Sequence, residues 1–221
     1  MSVSTENFIK TVYKLQRDLE RDPRTGYIAG ELGISNAAAT DMARKLARKN
    51  LIVYRKYKEI SLTPDGEEMA LVVLRKHRLW ETFLHRTFNL SLHEIHREAE
   101  MLEHQTSDFM MEKLCDYLGN PGFDPHGDPI PSKDGKISDN DPGMRLSVTE
   151  PGKYYEITRL QGSDKEFYEF CISSGISVGT EFKLKKQYEK NEITEIYLNN
   201  IRLMLGKNIT DKILIREIKK N

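Results

Sequence analysis

The feature that most constrains the fold is a change in hydrophobic periodicity on either side of a Pro/Gly-rich run. Residues 119–131 read GNPGFDPHGDPIP, a composition typical of a loop or a domain boundary. Before this run, apolar residues recur with the period of helices, and from Leu146 onward the spacing shifts toward two, as in strands. We therefore expect a mainly α protein with a β C-terminal module.

The first sixty residues follow the order of elements of a winged helix-turn-helix. After a helix predicted over residues 5–16, residues 27–32 predict a short helix that Gly33 ends in the left-handed conformation. Ser35 can then cap a helix over residues 36–49. Two strands are expected next, separated by a basic hairpin tip. Two short helices joined by a glycine turn and followed by such a hairpin indicate DNA binding.

The helix over residues 36–49 has one apolar side and one side suited to DNA. The outward side begins with small or polar groups and ends in cations, as a recognition helix requires. The predicted DNA contacts are Ser35, Asn36, Ala37, Thr40, Asp41, Arg44, Lys45 and Arg48, with Arg55, Lys56, Tyr57 and Lys58 on the hairpin tip. The alternative is a small helical subdomain with a solvated basic face.

The net charge of zero is a cancellation between segments. Residues 1–60 contain 12 Lys and Arg against 7 Asp and Glu, whereas residues 91–150 contain 5 against 13. A basic N-terminal segment is suited to binding a polyanion, and an acidic central segment is suited to binding cations.

Cysteine content and apolar run length bear on the compartment. The chain has two cysteines, Cys115 and Cys171, which we expect to be buried small apolar groups rather than a disulfide. The longest apolar runs are too short to span a bilayer, and the N-terminus does not resemble a signal segment. We therefore expect a soluble, cytoplasmic protein with no membrane partner.

Possible metal ligands concentrate in the run HEIHREAEMLEH at residues 93–104, within a helical pattern predicted over residues 92–118. On one helix, the spacing i, i+4, i+7 and i+8 places four side chains on one face, namely His96, Glu100, Glu103 and His104. A separate apolar stripe is predicted to face inward, consisting of Ile95, Ala99, Leu102, Thr106 and Phe109. On the helix that begins at Thr63-Pro64, His77 and Glu81 repeat the i, i+4 spacing.

Several functions remain open for this cluster. Nitrogen and carboxylate ligands suit Mn²⁺, Fe²⁺ or Zn²⁺. A helical carboxylate/histidine metalloenzyme is one alternative, although the Glu-x-x-His pairs of di-iron bundles are absent from both helices. A solvated helix face is another, and a third is a DNA-binding protein whose acidic centre only shapes a dimer. We expect His85, His93 and His126 to be surface or structural residues.

Four segments together resemble one family. NFIKTVYKL at residues 7–15, RKHRLWE at residues 75–81, the run His96 to His104, and GDPIP at residues 127–131 resemble the diphtheria toxin repressor (DtxR/MntR) family of metal-activated transcriptional repressors. The resemblance covers nearly the whole chain. It implies a winged helix-turn-helix at residues 1–63, a helical metal-binding and dimerisation domain at 64–142, and an SH3-like (FeoA-type) barrel at 143–221.

The resemblance also implies two metal positions. The primary site would use Asn7, Glu100, Glu103 and His104. The ancillary site would use His77, Glu81 and His96, completed by Asp164 or Glu166 from the barrel. Position 7 departs from the family's usual Met or Asp, Glu100 replaces the Cys of iron sensors, and Lys10 replaces a Glu of some short manganese sensors.

These ligands favour a hard cation. Oxygen-rich ligation favours Mn²⁺ over Fe²⁺, with Zn²⁺, Co²⁺ or Ni²⁺ as ions that would bind in vitro. The implied function is a homodimeric repressor, not an enzyme, that binds palindromic double-stranded DNA and controls metal-uptake genes.

Overall fold

The computed structural model describes residues 2–18, 22–56, 58–137, 143–162 and 165–219. Its helices are α1 (Val3–Tyr13), α2 (Thr25–Glu31), α3 (Asn36–Arg48), α4 (Pro64–Phe88), α5 (Leu92–Leu102), α6 (Asp108–Tyr117), α7 (Lys165–Ser173) and α8 (Lys207–Thr210). Its strands are β1 (Ile52–Val53), β2 (Ser61–Leu62), β3 (Met144–Arg145), β4 (Tyr154–Leu160), β5 (Glu181–Tyr188), β6 (Ile193–Leu198), β7 (Ile201–Gly206) and β8 (Ile213–Ile218). The predicted fold class, mainly α with a β C-terminal module, is confirmed.

The turn between α2 and α3 forms as its residues predict. Gly33 has a φ of +62°, the left-handed conformation that ends α2. The Ser35 hydroxyl accepts a hydrogen bond of 3.2 Å from the Ala38 amide and so caps α3. Upstream, α1 continues into a π-helical turn at Lys14–Asp18, beyond the helix end that periodicity predicts.

The wing is a short hairpin fixed to the start of α4. β1 pairs antiparallel with β2, with Ile52 opposite Leu62. The Thr63 hydroxyl donates to the Asn50 carbonyl at 2.6 Å and accepts from the Gly66 amide at 3.2 Å. A Cβ at Gly66 would lie 1.9 Å from the Leu51 carbonyl oxygen, so only glycine permits this approach.

The described chain divides into two compact units. Unit one comprises residues 1–80, 99–119 and 130–137, and unit two comprises residues 81–98, 120–129 and 138–221. The core of unit one contains buried side chains of α1, α3 and α4, among them Phe8, Leu46 and Leu74. The core of unit two is formed by the sheet and α7, for example by Tyr155 and Phe167. The predicted boundaries after residues 63 and 142 stay predictions.

Unit two contains a six-stranded antiparallel sheet in the order β3-β8-β4-β5-β6-β7. The sequence patterns missed β3 and β7. β7 follows β6 through Asn199 and Asn200, whose φ values are +49° and +65°. Two adjacent positive-φ residues between apolar runs form the tight turn of a hairpin, so this pair was the signal for β7.

The single long helix predicted over residues 92–118 is wrong. α5 ends at Leu102, a 3₁₀ turn covers Glu103–Gln105, and Ser107 caps α6 by accepting from the Met110 amide at 3.2 Å. The break changes the direction in which later side chains point relative to α5. Phe109, predicted to face inward as part of the apolar stripe, is therefore 74% exposed. Ile95 and Ala99, before the break, are fully buried as predicted.

Candidate metal centres

The first candidate centre lies in unit one, where α1 meets the end of α5. Lys10 of α1 is buried, and its ammonium donates hydrogen bonds of 2.6 Å to Glu100 Oε1 and of 2.6 Å to Glu103 Oε1. The Glu103 side chain is completely buried, whereas that of Glu100 is 34% exposed. Two carboxylates from α5 and the following turn therefore share one cation from α1.

His77 of α4 joins this cluster. Its Nδ1 is 2.6 Å from Glu103 Oε2 and 4.0 Å from Glu100 Oε1. His77, Glu100 and Glu103 can each offer one ligand atom within 4.8 Å of the others. The structure thus brings His77, which the resemblance assigns to the ancillary site, together with two predicted ligands of the primary site.

His104 is oriented by a residue that the sequence patterns did not single out. Its Nδ1 is hydrogen-bonded to Glu6 Oε2 at 2.6 Å, and its Nε2 lies 3.2 Å from Glu103 Oε1. A carboxylate at Nδ1 favours the tautomer that leaves Nε2 with a lone pair, which is how metal-binding histidines are commonly held. The position of Glu6, directly before Asn7 on α1, was the available signal.

Two unpaired atoms in unit one fit a bound cation. Asn7 Oδ1 and His104 Nε2 are both buried, and neither makes a hydrogen bond among the described residues, since the 3.2 Å contact of Nε2 with Glu103 Oε1 lacks hydrogen-bond geometry. Buried polar atoms are almost always paired, so such exceptions require an explanation. Both atoms are of ligand type and both belong to the predicted primary set, so the donor chemistry of this cluster fits a divalent metal.

The second candidate centre lies in unit two around Glu81. Glu81 Oε1 is 3.0 Å from His96 Nδ1 and 3.4 Å from His126 Nε2. The side chain of Glu81 is 2% exposed and that of His126 is 6% exposed. Two imidazoles therefore face one buried carboxylate oxygen.

His126 is not on the surface, contrary to one of the two roles expected for it. The Asp124 carboxylate accepts from the amides of His126 and Asp128 at 2.8 and 2.9 Å, and the His126 carbonyl accepts from the Leu160 amide at 2.9 Å. Burial lowers the pKa of the His126 imidazole, but Glu81, Asp124 and Asp128 outweigh burial and raise this pKa above its usual value. The Pro/Gly-rich run, which the sequence identifies only as a loop, thus supplies an ordered side chain to the cluster.

The barrel residues suggested for the ancillary site remain predictions. Asp164 lies outside the described residues. Glu166 is exposed on the first turn of α7.

The predicted DNA-facing side chains lie on the surface. On α3 and its cap, all are exposed except the half-buried Thr40: Ser35, Asn36, Ala37, Asp41, Arg44, Lys45 and Arg48. Ala39, Ala43 and Leu46 on the opposite side are buried. At the hairpin tip, Arg55, Lys56 and Lys58 are exposed, and Tyr57 lies outside the described residues.

A winged helix-turn-helix combined with buried carboxylate and imidazole clusters defines a class of protein, the metal-dependent DNA-binding regulators. Family models match in three consecutive segments: "Iron dependent repressor, N-terminal DNA binding domain" at residues 1–60, "Iron dependent repressor, metal binding and dimerisation domain" at 63–132, and "FeoA domain" at 144–217. The chain belongs to the diphtheria toxin repressor family of metal-dependent transcriptional repressors.

Individual relatives include both iron and manganese regulators. The diphtheria toxin repressor of Corynebacterium efficiens is 28% identical over 200 residues, 86% of each chain. The iron-dependent repressor IdeR of Mycobacterium leprae is 33% identical over 128 residues, 58% of this chain and 55% of that protein. A solved manganese-dependent transcriptional repressor in complex with manganese is 28% identical, with a TM-score of 0.91 over 97% of this chain and 100% of that chain.

These relatives and the shared fold are those of DNA-binding repressors, not of enzymes. Among the described residues, no helix is both long and apolar enough to cross a membrane.

Proposed function

We propose that the protein is a Mn²⁺-activated repressor that binds a palindromic operator as a homodimer and controls metal-uptake genes. The observation that carries this proposal is the position of the first cluster. Asn7, Glu6 and Lys10 lie on α1 of the DNA-binding region, whereas Glu100 lies near the end of α5 and Glu103 and His104 lie in the 3₁₀ turn that follows it. A cation held between these elements is in a position to couple metal concentration to DNA binding.

The primary site in this proposal consists of Asn7, Glu100, Glu103 and His104, with His77 as an additional ligand. Asn7 Oδ1 and His104 Nε2, buried without a hydrogen bond, support the assignment of those two residues. The cation shared by Glu100 and Glu103 supports theirs, and the contact of His77 with Glu103 supports the last. An ancillary site around Glu81 and His96 would include His126, whose Nε2 faces the same Glu81 oxygen as His96 Nδ1. His77, Asp164 and Glu166 remain the sequence-based suggestions for completing that second site.

The ligand types favour Mn²⁺. The proposed primary set contains carboxylate and amide oxygens with imidazole nitrogen, and hard oxygen ligands suit Mn²⁺ better than softer metals. The two cysteines, Cys115 and Cys171, are free and buried and belong to neither ligand set. Fe²⁺ is the alternative activator, because several relatives are named as iron-dependent repressors. Zn²⁺, Co²⁺ or Ni²⁺ would also occupy such ligands in vitro.

The proposed activation is a shift between two arrangements of the DNA-binding region. A bound dication would supply the positive charge that stabilises the approach of Asn7 on α1 to the carboxylates after α5. A ligand shifts an equilibrium only through contacts that differ between two states. Contacts that bridge α1 and the end of α5 differ whenever α1 moves, and they would select the spacing of two α3 helices that matches the operator half-sites.

The direct test is operator affinity as a function of Mn²⁺. Full-length protein would first select duplexes from a random library in the presence of MnCl₂. Fluorescence anisotropy with the selected duplex would then be measured with MnCl₂, with anaerobic FeCl₂ and with a chelator. We expect tight binding with Mn²⁺ and weak binding with chelator. Equal affinity with Mn²⁺ and with chelator would contradict the proposal, and tight binding with Fe²⁺ alone would reassign the metal.

The role of α3 can be tested with a phosphate-contacting cation. Lys45→Ala should weaken binding to all duplexes similarly. It should also reduce the slope of log Kd against the logarithm of the salt concentration by about one, because one fewer phosphate is neutralised. Arg97→Ala on α5 removes an exposed cation whose ion-pair partner is Glu98, outside the proposed DNA-binding surface, and is the matched control. An effect of Arg97→Ala as large as that of Lys45→Ala would mean that the DNA-binding surface is misplaced.

A further inference from the structure

Lys10 occupies the position where a cation at the primary site would be needed. Its side chain is 5% exposed, and its Nζ bridges Glu100 Oε1 and Glu103 Oε1 with equal distances of 2.6 Å. Buried carboxylates are costly unless a positive charge compensates them, and removing one partner of such a pair is strongly destabilising. In the described structure the ammonium of Lys10 therefore compensates the two acidic ligands.

A metal and this ammonium compete for the same oxygens. Carboxylate oxygens bind small divalent ions such as Zn²⁺ and Mg²⁺ at about 2.0 to 2.2 Å, so an ion held by both Oε1 atoms would overlap the position of Lys10 Nζ. The second oxygen of Glu103 is already engaged by His77 Nδ1 at 2.6 Å. Two cations this close repel each other strongly where water is largely excluded.

From this geometry, and resting on the proposed primary site, we propose that Lys10 is a built-in competitor of the metal. Its ammonium neutralises Glu100 and Glu103 in the metal-free protein and leaves them when the ion binds. Its flexible four-carbon stem permits this movement, and Glu100, the more exposed of the two carboxylates, marks the side open to solvent. Breaking two charge-assisted hydrogen bonds makes the free energy of metal binding less favourable. Lys10 therefore raises the Mn²⁺ concentration at which the repressor is activated.

The test compares Mn²⁺ affinity and metal-free stability in Lys10→Met, a neutral side chain of similar length. Binding of MnCl₂ to the full-length protein would be measured by calorimetry, and thermal unfolding would be followed in chelator. We expect Lys10→Met to bind Mn²⁺ at least about tenfold more tightly, because a like charge within a few ångströms shifts ionic equilibria by roughly one to three orders of magnitude. Without metal it should unfold at a lower temperature than wild type, and Mn²⁺ should raise its Tm more than that of wild type.

Two further variants separate the possible outcomes. Lys14→Met removes a charge four residues further along, in the π-helical turn that continues α1, and should leave the Mn²⁺ affinity as in wild type. Glu103→Gln in the wild-type background reports on the site itself. If it weakens Mn²⁺ binding but folded Lys10→Met binds no more tightly than wild type, the competitor proposal is overturned and the metal site stands. If Glu103→Gln leaves Mn²⁺ affinity unchanged, the primary site itself is wrong.

If Lys10→Met fails to fold without metal, the proposal can still be tested. Recovery of the folded state on adding MnCl₂ would support the proposal, because the dication then replaces the missing charge. If Mn²⁺ does not restore folding, Lys10→Gln, which keeps a hydrogen-bond donor, takes its place in the affinity comparison and is subject to the same criterion.

Discussion

In unit one an ammonium group lies between two carboxylates, whereas in unit two imidazoles face the central carboxylate. Lys10 bridges Glu100 and Glu103, and the exposed fraction of its side chain is only 5%. Beside Glu81 lie the imidazoles of His96 and His126, and Arg159 pairs with the neighbouring Asp128. Each region keeps acidic groups buried, but the chemical group that compensates them differs.

This difference matters for how each region would accept a metal. A lysine ammonium has no lone pair and cannot act as a ligand, so it has to leave the carboxylates. A histidine that loses its proton offers a nitrogen lone pair and becomes a ligand without leaving. On this proposal the cluster in unit one would exchange one cation for another, whereas the cluster in unit two would exchange protons for a metal.

The largest effect is expected when the central carboxylate of each cluster is replaced, because the two replacements should differ in their effect on DNA binding. Glu103→Gln should lower Mn²⁺-dependent DNA affinity by more than about a hundredfold, since loss of a direct ligand exceeds the tenfold to hundredfold typical of supporting residues. Glu81→Gln, equally buried but outside the cluster that contains α1, should lower it by about tenfold or less. Fluorescence anisotropy at fixed MnCl₂ measures both, and light scattering checks that each variant keeps the oligomeric state of the wild type.

Glu98→Gln is the matched control, because Glu98 is paired with the exposed Arg97 on α5. Equal losses for Glu103→Gln and Glu81→Gln would remove the functional distinction between the clusters.

A smaller effect is expected at Glu6, which orients His104 without being a proposed ligand. Glu6→Gln keeps the shape of the side chain but no longer enforces the His104 tautomer with a proton on Nδ1. Mn²⁺ affinity should fall by about 10- to 100-fold, as for other residues that support metal-binding histidines. Calorimetry measures this loss. An unchanged affinity would show that His104 does not depend on Glu6 for its orientation, and the role assigned to Glu6 would be wrong.

The sequence predicted the elements of this molecule better than their ends. Gly33, Ser35 and Thr63 carry local signals for the turn and for two helix starts, and the structure bears these out. The break after Leu102 was missed because apolar spacing continues across it, although Thr106 and Ser107 contain the signal. The Thr106 hydroxyl donates to the Leu102 carbonyl at 2.7 Å, and Ser107 caps the next helix.

Side-chain partners were harder to predict than elements. Helical spacing placed Glu100 and Glu103 on one face, but it did not indicate that Lys10, more than ninety residues away in sequence, would lie between them. The same limit applies to Glu6 and His126, which reach their clusters through tertiary packing. The spacing of residues within one helix is fixed by backbone geometry, whereas contacts between distant segments depend on packing that periodicity does not encode.

The smallest expected effect tests whether imidazole charge compensates the acidic groups of unit two. The carboxylates of Glu81, Asp124 and Asp128 raise the pKa of His126 in the folded protein above its value in the unfolded chain. Protonated His126 therefore stabilises the folded state below about pH 6.5, and this contribution is lost as the pH rises through the folded-state pKa. In chelator, His126→Asn should lower the Tm relative to wild type by a few degrees at acidic pH and by less at alkaline pH. Adding Glu81→Gln removes the carboxylate that contributes most to raising the pKa and should flatten this pH dependence. If the Tm difference instead grows with pH, His126 is neutral in the folded protein. The carboxylates of unit two would then not be compensated by imidazole charge in the way that Lys10 compensates those of unit one.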